Sequence, residues 1–373
     1  MMAKKDGRHD PRSPRGRRQR NSPKPSVGKP QFLWTDLTHK DKLDVVCRLF
    51  CKAKNADAIA AQIHEDYAGE RFNRQSVYPM LLEAVRDGRL RFVPRPDSLV
   101  SIGLRDRYKW LKDVKVVHTN EFEDVAYQGA ETLIGLLQEV KLKKKKRKVH
   151  VGFAGGHAVR RLAQIFAQSL DESDASLPKT LVLHALVAGF DVLEPTTDPN
   201  TFFTLFQNHT SVNTKFEFVG LHTPPVVKAS EYDVLKNAEG IRESYEHARD
   251  LDIIVTSAAD WSDRHSTFRK YMEKSANCSE VLVNAGCVGD MLWLPVGPRG
   301  PLDAQTRIRS MTLVELSELP AFLKSGKHVL LVLGPCAMCQ NTKSRILSGI
   351  LASEQRLISH LVVDTRSAKE VMR

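Results

Sequence analysis

The segment Val151 to Ala163, VGFAGGHAVRRLA, runs from a β-like stretch through closely spaced glycines into a helical pattern. Such a backbone can lay N–H groups against an anion at a helix N-terminus, where the helix dipole adds to the attraction. The spacing of Gly152, Gly155 and Gly156 matches neither G-x-G-x-x-G nor G-x-x-x-x-G-K-[ST], which argues against a dinucleotide or a nucleoside triphosphate. A small anionic or polyhydroxyl ligand remains, beside the plainer reading of a tight strand-to-helix turn. Other apolar runs end in chemistry of the same kind: Thr256, Ser257 and Asp260 after LDIIV, Asp290 after NAGCVG, and Lys343 after HVLLVLG. Hydroxyls on a ligand need paired donors and acceptors, and phosphate needs cations and N–H groups. Gly155, Gly156, His157, Thr256, Asp260, Asp290 and Lys343 are therefore the expected ligand site. An enzyme on the same scaffold would use Asp260 or Asp290 as general base, but no paired carboxylate and histidine is legible, so no catalytic residue is assigned. Cys336 and Cys339 form a single C-x-x-C, for which Cys278 and Cys287 are not a matching second pair. They read as two cysteines on a turn, with no metal and no cofactor expected.

The elements that must carry these loops alternate. Apolar strands VHVGFAG, TLVLHALVAG, FEFVGLH, LDIIVTSAA, HVLLVLGP and HLVVD are interleaved with helical patterns, which implies an α/β fold with a doubly wound parallel sheet. In such sheets ligands bind beyond the carboxyl ends of the strands. The N-terminal part reads differently. Leu43, Val46, Cys47 and Phe50 fall on one helical stripe behind Thr38 as N-cap; Ile59, Ala60 and Ile63 mark a second helix; Val77, Leu81, Ala84 and Val85 mark a third, ended by Asp87-Gly88. RLRFVPRP then alternates as a strand would. The series is that of a winged helix-turn-helix, with a generic helical bundle as the other reading. The third helix exposes Asn73, Arg74, Gln75, Ser76 and Tyr78, residue types that hydrogen-bond to base edges and phosphates, while Asn73 or Ser76 would serve equally as N-cap. Arg89 and Arg91 of the wing add phosphate contacts. Pro79 requires the helix to bend or to start late.

Of the net charge of +12, residues 1–30 carry +8 and Lys141 to Lys148 carry +7, so the remainder of the 373-residue chain is net acidic. The first segment is Pro/Ser/Arg-rich and too poor in apolar residues to order itself; it either solubilises the chain or grips nucleic-acid phosphates. The lysine run reads as an exposed loop. No apolar stretch is long enough to span a bilayer, the N-terminus lacks the apolar region of a secretory signal, and six cysteines form no dense disulfide framework. A cytoplasmic protein with reduced thiols is expected. The expected domains are a basic disordered tail over 1–33, a winged helix-turn-helix over 34–97, a linker over 98–116 and a ligand-binding, oligomerising domain over 117–373.

From Leu37 to Met372 this order of parts resembles the SorC/DeoR-type sugar-binding transcriptional regulators. Gly286 to Gly300, GCVGDMLWLPVGPRG, is similar to the family's gly-x-val-gly-asp stretch, Val362 to Met372 to its closing strand and helix, and NRQSVYPMLLEAVRDGRLRF to its recognition helix and wing. The resemblance implies a C-terminal domain of the sugar-isomerase-like type, as in ribose-5-phosphate isomerases and CoA-transferases. It also implies a DNA operator and a sugar or sugar-phosphate effector as partners, and a homodimer or homotetramer. Gly156-His157-Ala158 stands where the family has gly-arg-thr, so a phosphate here would depend on backbone N–H groups and His157. The alternatives are a sugar-phosphate isomerase- or deaminase-like enzyme, and a regulator that has lost its phosphorylated effector.

Overall fold

The computed structural model describes residues 32–69, 72–87, 89–90, 92–143, 147–170, 177–188, 195–207, 213–275 and 277–373. The basic tail up to residue 31, Gly88, Arg91 and residues 144–146 of the lysine run lie outside them. The chain divides into two compact units, residues 1–92 and 93–373.

In the first unit α1 (His39–Cys51), α2 (Ala56–Asp66) and α3 (Arg74–Arg86) enclose a small core of Trp34, Val46, Ala56, Ile59, Ala60, Ile63, Phe72 and Val77. Thr38 caps α1 in a reciprocal box: its hydroxyl accepts from the Asp41 N–H, and the Asp41 carboxylate accepts from the Thr38 N–H. Asn55 caps α2 and Asn73 caps α3. Pro79 sits inside α3, whose start at Arg74 precedes it by more than a turn. Two stripe residues fall outside the core, Phe50 at 47% and Val85 at 57% exposure. The expected wing strand is absent among the described residues: Phe92 to Arg95 join no strand, since Pro94 and Pro96 remove two N–H donors from the run.

The second unit begins with α4 (Ser98–Arg107) and β1 (Asp113–Val117), followed by α5 (Phe122–Lys143), β2 (Lys148–Phe153), α6 (His157–Ser169), β3 (Thr180–Ala185), α7 (Pro199–Phe202), β4 (Lys215–Val219), β5 (Val226–Lys228), α8 (Tyr232–Lys236), α9 (Arg242–Ala248) and β6 (Ile253–Thr256). There follow β7 (Ala258–Asp260), α10 (Thr267–Lys274), α11 (Cys278–Asn284), β8 (Gly289–Met291), β9 (Leu294–Gly297), β10 (Gly300–Pro301), β11 (Ile308–Ser310), α12 (Leu319–Lys324), β12 (His328–Leu333), α13 (Ser344–Leu351), β13 (His360–Asp364) and α14 (Thr365–Met372). Residues 98–116 are therefore no linker. β1 is an edge strand paired in parallel with β13, and α4 packs on β1 and α14, because Leu104, Leu111, Val114 and Val116 are apolar and buried.

Among the described residues the main sheet has the order β1-β13-β12-β6-β2-β3-β4, parallel throughout. Every residue of β12 and β13 is buried, as apolar runs covered on both faces require. From β2 the chain proceeds outward to β3 and β4, returns to β6 on β2's other side and proceeds through β12 to β13. The winding reverses between β2 and β6, and that is where a doubly wound sheet opens a crevice beyond its carboxyl ends. A smaller antiparallel sheet, β10-β9-β8-β7, continues from β6. Two expectations need correction: the lysine run as a loop, and the pattern from Glu231 to Asp250, EYDVLKNAEGIRESYEHARD, as one helix. The lysine run is not all loop: Lys141 and Lys143 end α5, Lys143 pairs with Glu139 one turn earlier at 2.8 Å, and cations suit a helix C-terminus. The pattern over 231–250 gives two short helices, interrupted where Gly240 adopts φ +81°.

Candidate functional site

A cleft lies at the carboxyl edge beside the β2/β6 reversal, lined by the loops after β2, β6, β7, β8 and β12. Gly155, Gly156, His157 and Ala158 form one wall. Gly156 has φ +104°, a conformation strained for any residue with a Cβ, and a Cβ there would meet nothing within 4 Å, so the backbone is open toward the cleft. Its N–H is held by the Thr197 carbonyl at 2.9 Å. α6 then starts at His157 with no side-chain cap on its first turn.

Asp290, Lys343, Ser257 and Ser266 supply polar groups around the rest of the cleft. The Ser257 Oγ is buried and has no hydrogen-bond partner among the described residues, although a buried hydroxyl ordinarily has one. Asp290 is 6% exposed and accepts hydrogen bonds from Ser266 Oγ at 3.3 Å and from the Trp293 backbone N–H. Burial pushes its carboxyl up to about 7, with the Asp263 charge adding to the rise and Ser266 and Lys343 opposing it. At neutral pH it can therefore both donate to and accept from a ligand hydroxyl. Gly289 sets its position: a Cβ there would stand 2.1 Å from the Ala259 carbonyl oxygen on the paired strand β7. Leu292 and Trp293, at φ +57° and +59°, close the two-residue turn from β8 to β9 without the glycine or asparagine such turns prefer. Both side chains line the cleft, and the surrounding structure must hold the turn in this unfavourable conformation.

Two expected residues do not line it. Thr256 is fully buried and its hydroxyl donates to the Ser257 carbonyl at 2.9 Å. The Asp260 carboxylate is occupied by Ser262 N–H (2.9 Å), Ser262 Oγ (2.7 Å) and Ile346 N–H (3.3 Å), so it fastens its loop to α13. Asp263, His265, Ser266 and Trp293 line the cleft beyond the expected set, as does Ser257, which the sequence places at the strand end with Thr256 and Asp260 but which is not among the expected site residues. Nothing in the types of Asp263, His265, Ser266 and Trp293 alone marks them.

The Cys336–Cys339 turn lies against the loop after β7. Cys336 Sγ is 3.6 Å from His265 Nδ1, Cys339 Sγ is 4.0 Å from Asp263 Oδ1, and His265 Nδ1 is 3.1 Å from the same Asp263 oxygen. One donor atom from each of the four lies within 4.8 Å of the others. The Asp263 carboxyl is raised by burial, but hydrogen bonds from the Cys336 thiol and the His265 N–H, with the charges of Lys343 and His265, bring it below its ordinary range.

In the first unit, Asn73 Oδ1 accepts from Ser76 N–H at 3.1 Å and Ser76 Oγ at 3.2 Å, so both residues serve the cap. Arg89 is ion-paired with Asp44 of α1 and is three-quarters buried. Gln75 and Tyr78 are accessible to solvent, and Arg74 makes a loose pair with Asp57 at 3.7 Å. Arg91 lies outside the described residues.

Three small helices followed by a parallel α/β unit with a cleft at its winding reversal define the architecture. No protein-family model and no curated protein matches the sequence. Solved structures do share the fold. The full-length sorbitol operon regulator SorC from Klebsiella pneumoniae superposes with a TM-score of 0.61 over 90% of this chain and 100% of that one, at 14% identity. A DeoR family transcriptional regulator from Listeria monocytogenes gives 0.55 over 73% and 98%, at 20% identity. A transcriptional regulator from Streptococcus pneumoniae gives 0.53 over 74% and 95%, at 16% identity. The α/β architecture expected from the sequence is thus the one found. No helix among the described residues is long and apolar enough to cross a membrane.

Proposed function

We propose that this chain is a cytoplasmic, DNA-binding transcriptional regulator whose second unit takes a small sugar or sugar-phosphate effector. The observation that carries the reading is the convergence, in one cleft, of an uncapped helix start behind Gly156, the unpartnered Ser257 hydroxyl, the Asp290 carboxyl and Lys343. An oxyanion fits the helix start and the lysine; hydroxyls fit Ser257 and Asp290. The fold shared with operon regulators supports the same reading. In the first unit, Arg74, Gln75 and Tyr78 are the accessible groups that would reach DNA, with the basic tail adding phosphate contacts.

Catalysis is not assigned. Asp260 is fully engaged by its three donors, and the hydrogen bonds to Asp290 come from a serine hydroxyl and a backbone N–H rather than from a histidine. The effector would act by binding more tightly to one of two arrangements of a homodimer or homotetramer, only one of them competent for DNA. The test is a thermal-shift screen of the full chain against sugars and sugar phosphates. A true effector raises the melting temperature with concentration, and Ser257→Ala weakens that response. Turnover of a sugar phosphate would replace this reading with an enzymatic one.

A further inference from the structure

The Cys336–Cys339 turn and the loop after β7 bring together two thiols, an imidazole and a carboxylate, with neighbouring donor atoms 3.1 to 4.0 Å apart. Four ligands around a tetrahedral Zn²⁺, with bonds of about 2.0–2.3 Å, stand about 3.3–3.8 Å apart, so the four donors are already close to that arrangement. We propose that Asp263, His265, Cys336 and Cys339 form a site for one transition-metal ion, with zinc as the ion it suits.

Three observations separate this from other uses of the same residues. Cys336, His265 and Asp263 are not a nucleophile–base–acid relay: a relay needs the two imidazole nitrogens to face different partners, whereas His265 Nδ1 faces both the Cys336 sulfur and the Asp263 oxygen. Convergence of several lone-pair donors on one point is what a bound cation rewards. The donor set is two sulfurs, one nitrogen and one oxygen, which selects zinc over magnesium or calcium. The two cysteines are held on one side of their turn by backbone hydrogen bonds from Gln340 N–H to the Cys336 carbonyl (2.8 Å) and from Cys336 N–H to the Asn341 carbonyl (3.0 Å).

The charges also balance. Two thiolates and one carboxylate around Zn²⁺ leave a site with a single net negative charge, and Lys343 interacts favourably with Asp263. Binding displaces the two thiol protons to solvent and changes no oxidation state. Zinc would fasten the loop after β7 to the loop after β12, two walls of the cleft, so it would brace the pocket rather than fill it. The proposal does not rest on the effector reading: a chain that binds zinc but no sugar refutes only the latter.

The test uses the full, untagged chain purified without chelator. Elemental analysis is expected to find about one zinc per chain. Cobalt(II) in its place is expected to give the visible bands of tetrahedral coordination and a near-ultraviolet thiolate-to-metal band. Cys339→Ser, at the more exposed of the two thiols, and Asp263→Asn are expected to weaken zinc by at least about tenfold in competition with a chromogenic chelator. Cys51→Ser, in the other unit, is expected to change nothing. The proposal is overturned if the unaltered chain shows no thiolate–cobalt band, a result independent of how any variant folds. It is equally overturned if folded Cys339→Ser holds zinc as tightly as the parent.

Discussion

Replacing Asp290 by asparagine makes the molecule report on its own electrostatics. The side chain is 6% exposed, and its carboxyl is pushed from an ordinary 3.8 up to about 7. The folded state therefore holds the Asp290 proton more tightly than the unfolded chain does. Between about pH 4 and 7 the unfolded form binds fewer protons, so stability falls as pH rises through that window, and the loss is complete above about pH 7. A displacement of about three pH units is worth roughly 4 kcal/mol at the upper end. D290N keeps the shape and cannot ionise, so it escapes the loss. The assay is urea unfolding of parent and D290N at about pH 4.5 and about pH 8, in EDTA, followed by tryptophan fluorescence, to which Trp110, Trp261 and Trp293 of the second unit contribute. The variant is expected to gain on the parent by about 2–4 kcal/mol between the two pH values, the other titrating groups cancelling in the difference. A constant difference, or a variant that loses ground at the higher pH, would refute the account of Asp290 as a buried, protonatable ligand group.

Other perturbations separate scaffold from surface. Gly289→Ala places a Cβ against the Ala259 carbonyl oxygen, and should cost at least about 1–3 kcal/mol in thermal or chemical unfolding while removing effector binding. Arg89→Ala breaks the pair with Asp44 and is expected to cost the first unit up to about 1 kcal/mol, seen as a lower melting temperature. Tyr78→Ala and Gln75→Ala should leave the melting temperature unchanged and weaken specific DNA by about 1–3 kcal/mol for each base that the removed side chain reads, measured by anisotropy. Arg74→Ala should weaken all DNA alike and lower the salt slope by about one.

How much of the molecule is legible in its sequence follows from what each signal depends on. The buried strands and the Thr38 and Asn73 caps depend on local pattern, and each is present where the residues indicate. No wing strand is found among the described residues because alternation in RLRFVPRP says nothing about a partner strand, and Pro94 and Pro96 outweigh the alternation. Residues 98–116 look like a linker because β1 is completed by β13, 247 positions later, a pairing no local window contains. At the cleft, placement after a strand brings in Gly155, Gly156, His157, Asp290 and Lys343. It does not reveal that Asp260 is consumed by Ser262 and Ile346, or that the Ser257 Oγ is left without a hydrogen-bond partner among the described residues. Cysteine spacing likewise hides the residues facing Cys336 and Cys339, because the complement is not a second cysteine pair but Asp263 and His265, far upstream in the chain.

The central claim is that a small ligand in this cleft changes the chain's grip on DNA. It is tested most directly by selecting a preferred duplex from random sequence with the full chain, then titrating sugars and sugar phosphates while following anisotropy. The account predicts a sequence preference, affinity that falls steeply with salt, and at least one ligand that changes affinity by about 5–150-fold, an effect that needs more ligand in Ser257→Ala. A chain with no sequence preference at any salt, or one whose DNA affinity no ligand in the panel alters, would contradict it.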